Sequence, residues 1–70
     1  MIDNMKMYLK SDIDFMYNGK PAAFCPIGVY VVGFSGDENE FSNVEDAINA
    51  KVFDGKSLVD IWEEILPQIS

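Results

Sequence analysis

The first part of the chain shows the two-residue hydrophobic period that is typical of β-strands. Between residues 12 and 17 every second side chain is apolar or aromatic, so Ile13, Phe15 and Tyr17 share one face of an extended segment. An Asn-Gly pair follows at once, and both residue types tolerate the positive φ angles of a type I′ turn. The pattern therefore predicts a β-hairpin whose short returning strand spans residues 22–25.

Two further strands are predicted before the pattern changes. Residues 29–34 read Val-Tyr-Val-Val-Gly-Phe, and β-branched and aromatic residues of this kind favour a pleated sheet. Turn-forming residues follow, and residues 40–41 can return as a short fourth strand. In residues 1–10 the apolar side chains of Met5, Met7 and Leu9 alternate with lysines and Tyr8, which favours an outer strand over a helix.

The period changes to that of a helix after residue 41. Ser42 and Glu45 have the spacing of a capping box, in which the serine hydroxyl accepts from a backbone N–H three residues on and the glutamate reaches back. This pattern predicts a helix over residues 43–50. Val44 and Ile48 lie on its apolar face.

A second helix is predicted over residues 57–66. Ser57 and Asp60 repeat the capping pattern in a weaker form, and Pro67 lies just past the end, where a helix cannot easily continue. The apolar residues fall at spacings of three and four and form one face of the helix, which consists of Leu58, Ile61, Trp62 and Ile65.

Together these elements predict one small α+β domain over residues 1–70. Its antiparallel sheet has three to four strands, from about residue 5 to residue 41, and the two C-terminal helices pack on one face of the sheet. The alternative is an all-β start with only the last helix formed. The predicted core consists of Ile13, Phe15, Phe24, Val29, Val31, Phe34, Phe41, Val44, Ile48, Phe53, Leu58, Ile61, Trp62 and Ile65.

Composition narrows the class of partner. The 70 residues carry 12 acidic side chains against five lysines, with no arginine, for a formal net charge of −7. Nucleic-acid binding depends on many basic side chains that displace counterions from phosphate, so we expect neither direct nucleic-acid binding nor docking on anionic lipid. The N-terminus lacks the apolar run of a signal peptide or a membrane span, and Cys25 is the single cysteine, so a cytoplasmic location is expected.

The residue types also argue against catalysis. Histidine, the commonest general base, is absent, and the one notable nucleophile, Cys25, has the apolar neighbours Phe24, Pro26 and Ile27. The acidic residues after Gly36 do not have the ligand spacing of an EF-hand. We therefore expect a protein that is not an enzyme and that uses no cofactor or metal ion.

One feature predicts a binding surface. Both faces of the strand at 29–34 are apolar, whereas a sheet face that is open to water should alternate with polar residues. Two short helices can cover only one face, so a second copy in a homodimer, or another protein partner, is expected on the other. The candidate partner-binding residues are Tyr30, Val32, Phe34 and Trp62, although a lone tryptophan on an apolar helix face is more often part of the core.

The leading interpretation is a non-enzymatic protein-interaction or accessory module. The segment from Phe53 to Leu58, running into Ile61 and Trp62, resembles small proteins of low-GC bacteria and their phages, which implies a bacterial or phage origin and no particular activity. Two alternatives stay open. One is an acidic mimic of nucleic acid that inhibits a basic partner, using the acids of residues 37–46 with Asp54, Asp60, Glu63 and Glu64. The other is a small thiol-dependent or metal-dependent enzyme.

Overall fold

A four-stranded antiparallel sheet and two C-terminal helices make up most of the chain. The computed structural model describes residues 3–69, apart from the side chains of residues 3, 4 and 6. The sheet order is β1-β2-β3-β4, so each strand pairs with its neighbour in sequence. The predicted α+β class is confirmed. The elements are α1 (Asp3–Tyr8), β1 (Ile13–Tyr17), β2 (Lys20–Pro26), β3 (Tyr30–Phe34), β4 (Asn39–Phe41), α2 (Val44–Asn49) and α3 (Leu58–Ile69).

The strand register decides which side chains enter the core. Ile13 lies opposite Phe24, and Phe24 lies opposite Val32, so these three residues form a row across the sheet. All three are buried, in the same hydrophobic cluster as the buried side chains of the helices. We call this side of the sheet the inner face. The opposite side carries the residues that alternate with the buried ones along each strand, and we call it the outer face.

The predicted turn between β1 and β2 is confirmed. Asn18 and Gly19 have φ angles of 52° and 73°, as a type I′ turn requires. A second turn of the same kind occurs at Asp54 and Gly55, with φ angles of 54° and 85°. The backbones of the flanking residues, Phe53 and Lys56, bond to each other in both directions at 2.9 and 3.1 Å.

Strand β2 is longer than predicted and contains both neighbouring prolines. Residues that flank a two-residue turn form a hydrogen-bonded pair, and such pairs alternate along the ladder. The backbone nitrogen of Pro26 therefore points toward β1, at a position before the first residue of that strand. The backbone nitrogen of Pro21 points toward β3, just past the last residue of that strand. Pro21 still accepts a hydrogen bond from the Ser35 N–H at 3.0 Å. Neither missing N–H removes an interior bond of the sheet, which explains why the strand tolerates both residues.

The prediction of an outer strand at residues 1–10 is wrong. Asp3–Tyr8 is a helix, and the Leu9 N–H donates to the Met5 carbonyl at 3.0 Å. Met5 and Leu9 are four residues apart, so they share one helical face, and both are buried in the core. Met7, which lies between them in the sequence, is exposed, so the alternation of apolar residues does not correspond to one packed face.

The N-cap of α2 lies one residue later in the sequence than predicted. Asn43, not Ser42, is the N-cap, and its side-chain oxygen accepts from the Asp46 N–H at 2.9 Å. The Asn43 amide also donates to the Asp46 carboxylate at 2.9 Å, so Asp46 takes the place that was predicted for Glu45. Asparagine is as good an N-cap as serine, which is why sequence alone did not separate the two registers.

The cap of α3 is confirmed, but its predicted end is wrong. The Asp60 N–H donates to the Ser57 hydroxyl at 3.2 Å, and the Ser57 N–H donates to the Asp60 carboxylate at 3.0 Å. The helix continues through Pro67 to Ile69. Pro67 is exposed, Ile69 packs against the core, and Gln68 bonds to β1, so contacts with the rest of the fold hold the last turn in place.

The core differs from the predicted one mainly in β3. Val29 is 39% exposed and Val31 is only partly buried, whereas Val32 is completely buried, so the predicted orientation of this strand is wrong. Phe34, Phe41 and Val44 are also only partly buried. The predicted residues found buried are Ile13, Phe15, Phe24, Ile48, Phe53, Leu58, Ile61, Trp62 and Ile65, and the buried residues that were not predicted are Met5, Leu9, Tyr17, Ala22, Val32 and Ala47.

Candidate functional site

The predicted partner-binding residues lie on the core side of the molecule. Val32 and Trp62 are completely buried, and Tyr30 and Phe34 are partly buried against the core cluster. The Trp62 ring packs against Tyr8, with the ring centroids 5.6 Å apart. Partner binding by these residues stays a prediction. Val32 and Trp62 have no exposed side-chain surface that a partner could contact.

The outer face of the sheet instead carries the uncovered apolar side chains. Ala23, Cys25 and Val31 form its centre, because they alternate with the buried residues of β2 and β3, and each is partly exposed. Met16 on β1 is 50% exposed. At one end, the β2–β3 turn adds Ile27, which is 68% exposed, and Val29. Apolar side chains grouped in this way on a surface commonly mark an interaction site.

The charged side chains at outward strand positions of the described sheet are acidic. Asp14 and Glu40 occupy outward positions of β1 and β4, and Asp12 and Glu38 lie close enough to influence the Cys25 thiol. No outward strand position in the described sheet holds a lysine. The surface is therefore an apolar centre with a rim of carboxylates.

Cys25 lies at the centre of this face but is not activated as a nucleophile. Partial burial raises the pKa of its thiol, and the negative charges of Asp12, Asp14 and Glu38 raise it further. The reactive form is the thiolate, so this environment lowers the fraction of Cys25 that can react at neutral pH. Among the side chains that the structure describes, no three cysteines or carboxylates are grouped so that they could hold a metal ion.

The β3–β4 turn bounds the outer face on one side. Gly33 has a φ angle of 142°, and a Cβ atom there would lie 3.1 Å from the Asp37 carbonyl oxygen and 3.3 Å from the Glu38 Cα. Glycine is therefore required for the turn to fold closely over β3. The turn is closed by a 2.9 Å hydrogen bond from the Asp37 N–H to the Phe34 carbonyl.

A shallow groove of about 320 Å³ crosses the other end of the outer face. Asp14, Met16, Pro21, Ser35 and Gln68 are among the residues that line it. Gln68 reaches from α3 to the free edge of β1, where its side-chain oxygen accepts from the Met16 N–H at 2.7 Å and its amide donates to the Met16 carbonyl at 2.8 Å. A single glutamine thus satisfies both backbone groups of one edge residue.

The sequence pattern predicted an uncovered apolar face formed by Tyr30, Val32 and Phe34, whereas the apolar side chains of the outer face belong to other residues. The missed residues are Met16, Ala23, Cys25 and Val31, with Gln68 at the edge. A signal for the first three existed, because the alternation of Ile13, Phe15 and Tyr17 extends through the Asn-Gly turn and assigns Ala22 and Phe24 to the inner face. No local pattern indicates that Gln68 would reach β1, since 52 residues separate it from Met16.

Comparison with known proteins gives no relative from which a function could be transferred. The chain matches no protein-family model, no curated protein and no solved structure. In the described part of the chain, no helix is long and apolar enough to cross a membrane.

Proposed function

We propose that the chain is a non-enzymatic protein-interaction module and that the outer face of the sheet is its contact surface. The observation that carries the proposal is the exposure of apolar side chains at Met16, Ile27 and Val29 around the half-exposed centre of that face. In this proposal α2 and α3 pack on the inner face only. The burial of alternate residues along β1 supports that arrangement.

The charge of the rim determines the kind of partner that we propose. In the complex, Asp14 and Glu40 would face the edge of the partner's contact surface. Carboxylates that lose their hydration there need a nearby cation to offset the free-energy cost of desolvation. We therefore propose a partner whose contact surface has an apolar centre with lysine or arginine around it. The net charge of −7 would also speed the approach of such a basic partner.

A second copy of the chain, the homodimer expected from sequence, is a less favourable occupant. In a twofold dimer through this face, the carboxylates of Asp14 and Glu40 would approach the same negative rim of the other copy. Light scattering after size exclusion, at low salt and micromolar concentration, separates the two occupants. A mass near 7.9 kDa supports a different protein as partner, whereas twice that mass would assign the face to a second copy.

Capture of partners from a lysate with matched variants tests the proposal. Ile27 and Met7 are both exposed apolar residues, at 68% and 72%, but Ile27 lies in the turn between β2 and β3 whereas Met7 lies on α1. Both Ile27→Glu and Met7→Glu add one negative charge. We expect the partner that wild type retains to be retained by Met7→Glu and lost by Ile27→Glu. Equal retention by the two variants would refute the outer face as the contact surface.

The salt dependence of the affinity for the partner distinguishes this proposal from the acidic mimic of nucleic acid. Binding that depends on charge alone should weaken steeply between about 50 and 200 mM salt, whereas an apolar centre should preserve most of the affinity. Two carboxylates of the predicted mimic surface already have cations beside them. Asp54 pairs with Lys20 at 3.1 Å, and Asp60 pairs with Lys51 at 2.7 Å. These pairs reduce the negative charge that a mimic could present.

A further inference from the structure

The free edge of β1 offers backbone groups that the proposed outer-face contact does not use. Tyr17 and Lys20 flank a two-residue turn and form a hydrogen-bonded pair, and such pairs alternate with pairs whose backbone groups point away from each other. Asp14 and Met16 therefore direct their N–H and carbonyl groups to the outside of the sheet. An edge of this kind is a template for pairing with another strand.

Gln68 occupies this edge as one residue of a further antiparallel strand would. Its amide accepts from the Met16 N–H and donates to the Met16 carbonyl, at 2.7 and 2.8 Å, which is the reciprocal pattern of an antiparallel ladder. The bonds are exposed to water, and Gln68 is on the last turn of α3. A side chain in this position can leave without disturbing the core.

We propose that the edge of β1 binds an extended peptide segment of a basic partner protein, which displaces Gln68 and adds a fifth strand to the sheet. Residues of the segment that pair with Asp14 and Met16 would point to the outer face, as these two do. A lysine or arginine opposite Asp14 meets its carboxylate, and an apolar residue opposite Met16 enters the groove of about 320 Å³. The residue between them points toward the α3 side and must be small.

This inference rests on the proposed interaction role, but its hydrogen bonds use backbone atoms that the outer-face contact does not need. Strand addition needs the backbone of Asp14 and Met16, not the side chains of the β2–β3 turn. The variant Ile27→Glu should therefore keep peptide binding even though it loses the outer-face partner. The two proposals can fail separately.

The test uses a capped eight-residue peptide in which lysine and valine alternate with serine between them, titrated into the ¹⁵N-labelled chain. We expect the backbone amides of Asp14 and Met16 and the side-chain amide of Gln68 to shift. Gln68→Ala should bind the peptide roughly tenfold more tightly, because two exposed hydrogen bonds no longer compete. The control Asn49→Ala removes another exposed side-chain amide, one that donates to the Glu45 carbonyl at 2.8 Å within α2. It should bind as wild type does.

Two altered peptides make the result decisive with the wild-type chain alone. N-methylation of the valines removes N–H groups that an added strand would donate, and exchange of lysine for glutamate reverses the charge opposite Asp14. Each change should weaken binding at least about tenfold. Binding that survives N-methylation would overturn strand addition, and binding that survives the charge exchange would overturn a basic segment. Absence of binding to both wild type and Gln68→Ala would also overturn the inference.

Discussion

Phe53 connects the short segment between the two helices to the sheet. Its ring contacts those of Phe15, Tyr17 and Phe34, with centroid distances of 5.6, 6.4 and 5.4 Å. The Asp54-Gly55 turn that follows directs the Asp54 carboxylate toward Asn18 and Lys20, at 3.0 and 3.2 Å. Phe53 is completely buried, so its ring and the turn together attach this segment to β1 and β3.

Phe53→Ala should destabilise the fold by about 3–5 kcal/mol, because it removes a large buried ring and leaves a cavity between the sheet and the segment. That is a large part of the roughly 5–15 kcal/mol that a domain of this kind has in total. Urea denaturation measures the effect. Ile27→Ala, at an exposed position, is the control and should change the stability by less than about 0.5 kcal/mol. Similar denaturation midpoints for the two variants would contradict this account of the core.

Asp60 is the carboxylate with the most strongly altered acidity. Hydrogen bonds from Lys51, the Ser57 N–H and the Ser57 hydroxyl lower its pKa to about 2. A carboxylate whose pKa is lower in the folded state than in the unfolded chain stabilises the fold above its unfolded value. The contribution of Asp60 is therefore present above about pH 4 and is lost as the pH falls toward 2.

Asp60→Asn should be less stable than wild type at neutral pH, and the difference should shrink as the pH falls from about 4 to 2. Denaturation curves at a series of acidic pH values give this comparison. Glu63→Gln removes the same charge from an exposed position of the same helix and controls for net charge. A difference between Asp60→Asn and wild type that does not change with pH in this range would show that the carboxylate has another role.

At the scale of elements, α1 closes the core beside α3. Met5 is completely buried and Leu9 nearly so, while the Tyr8 ring lies 5.6 Å from that of Trp62. The helix is only six residues long, and an isolated helix of that length is not stable in water. Its packing, not its intrinsic propensity, therefore holds it in place.

Two methionines of α1 give a matched test of this packing. Met5→Ala should cost about 2–5 kcal/mol, because the side chain is completely buried. Met7→Ala makes the same chemical change on the same helix, but Met7 is 72% exposed and should cost less than about 0.5 kcal/mol. Thermal or urea unfolding of the two variants provides the comparison. Equal effects would mean that α1 does not pack against the core as described.

Local pattern predicted the elements well where one face alone is apolar. The alternation in β1 and the three-and-four spacing in α3 each allow one orientation. In β3 both faces are apolar, so orientation depends on the pairing of Val32 with Phe24, and that follows from the length of the loop between the strands. In α1 the apolar positions fit either period. Long-range contacts decide such cases, and local sequence does not contain them.

At the scale of the whole molecule, charge and apolar surface are distributed unequally. Lys20 and Lys51 pair with carboxylates near α3 and the segment before it, while the charged outward strand positions of the described sheet are the acids Asp14 and Glu40. The excess of apolar residues over what one small core can bury was visible in the sequence and predicted an interaction surface. The residues of the proposed contact surface were not predicted, because the predicted orientation of β3 was wrong.

Cys25 permits the most direct test of the outer face, because it is the only cysteine and lies at the centre of that face. Alkylation with a bulky uncharged maleimide places an obstacle there, whereas a small methylthio group on the same sulfur is the control. The measurement is the affinity of each modified, folded chain for the basic partner that the wild type retains. We predict that the bulky adduct loses at least about tenfold in affinity and that the small one binds nearly as wild type does. Wild-type affinity of the bulky adduct would contradict the account.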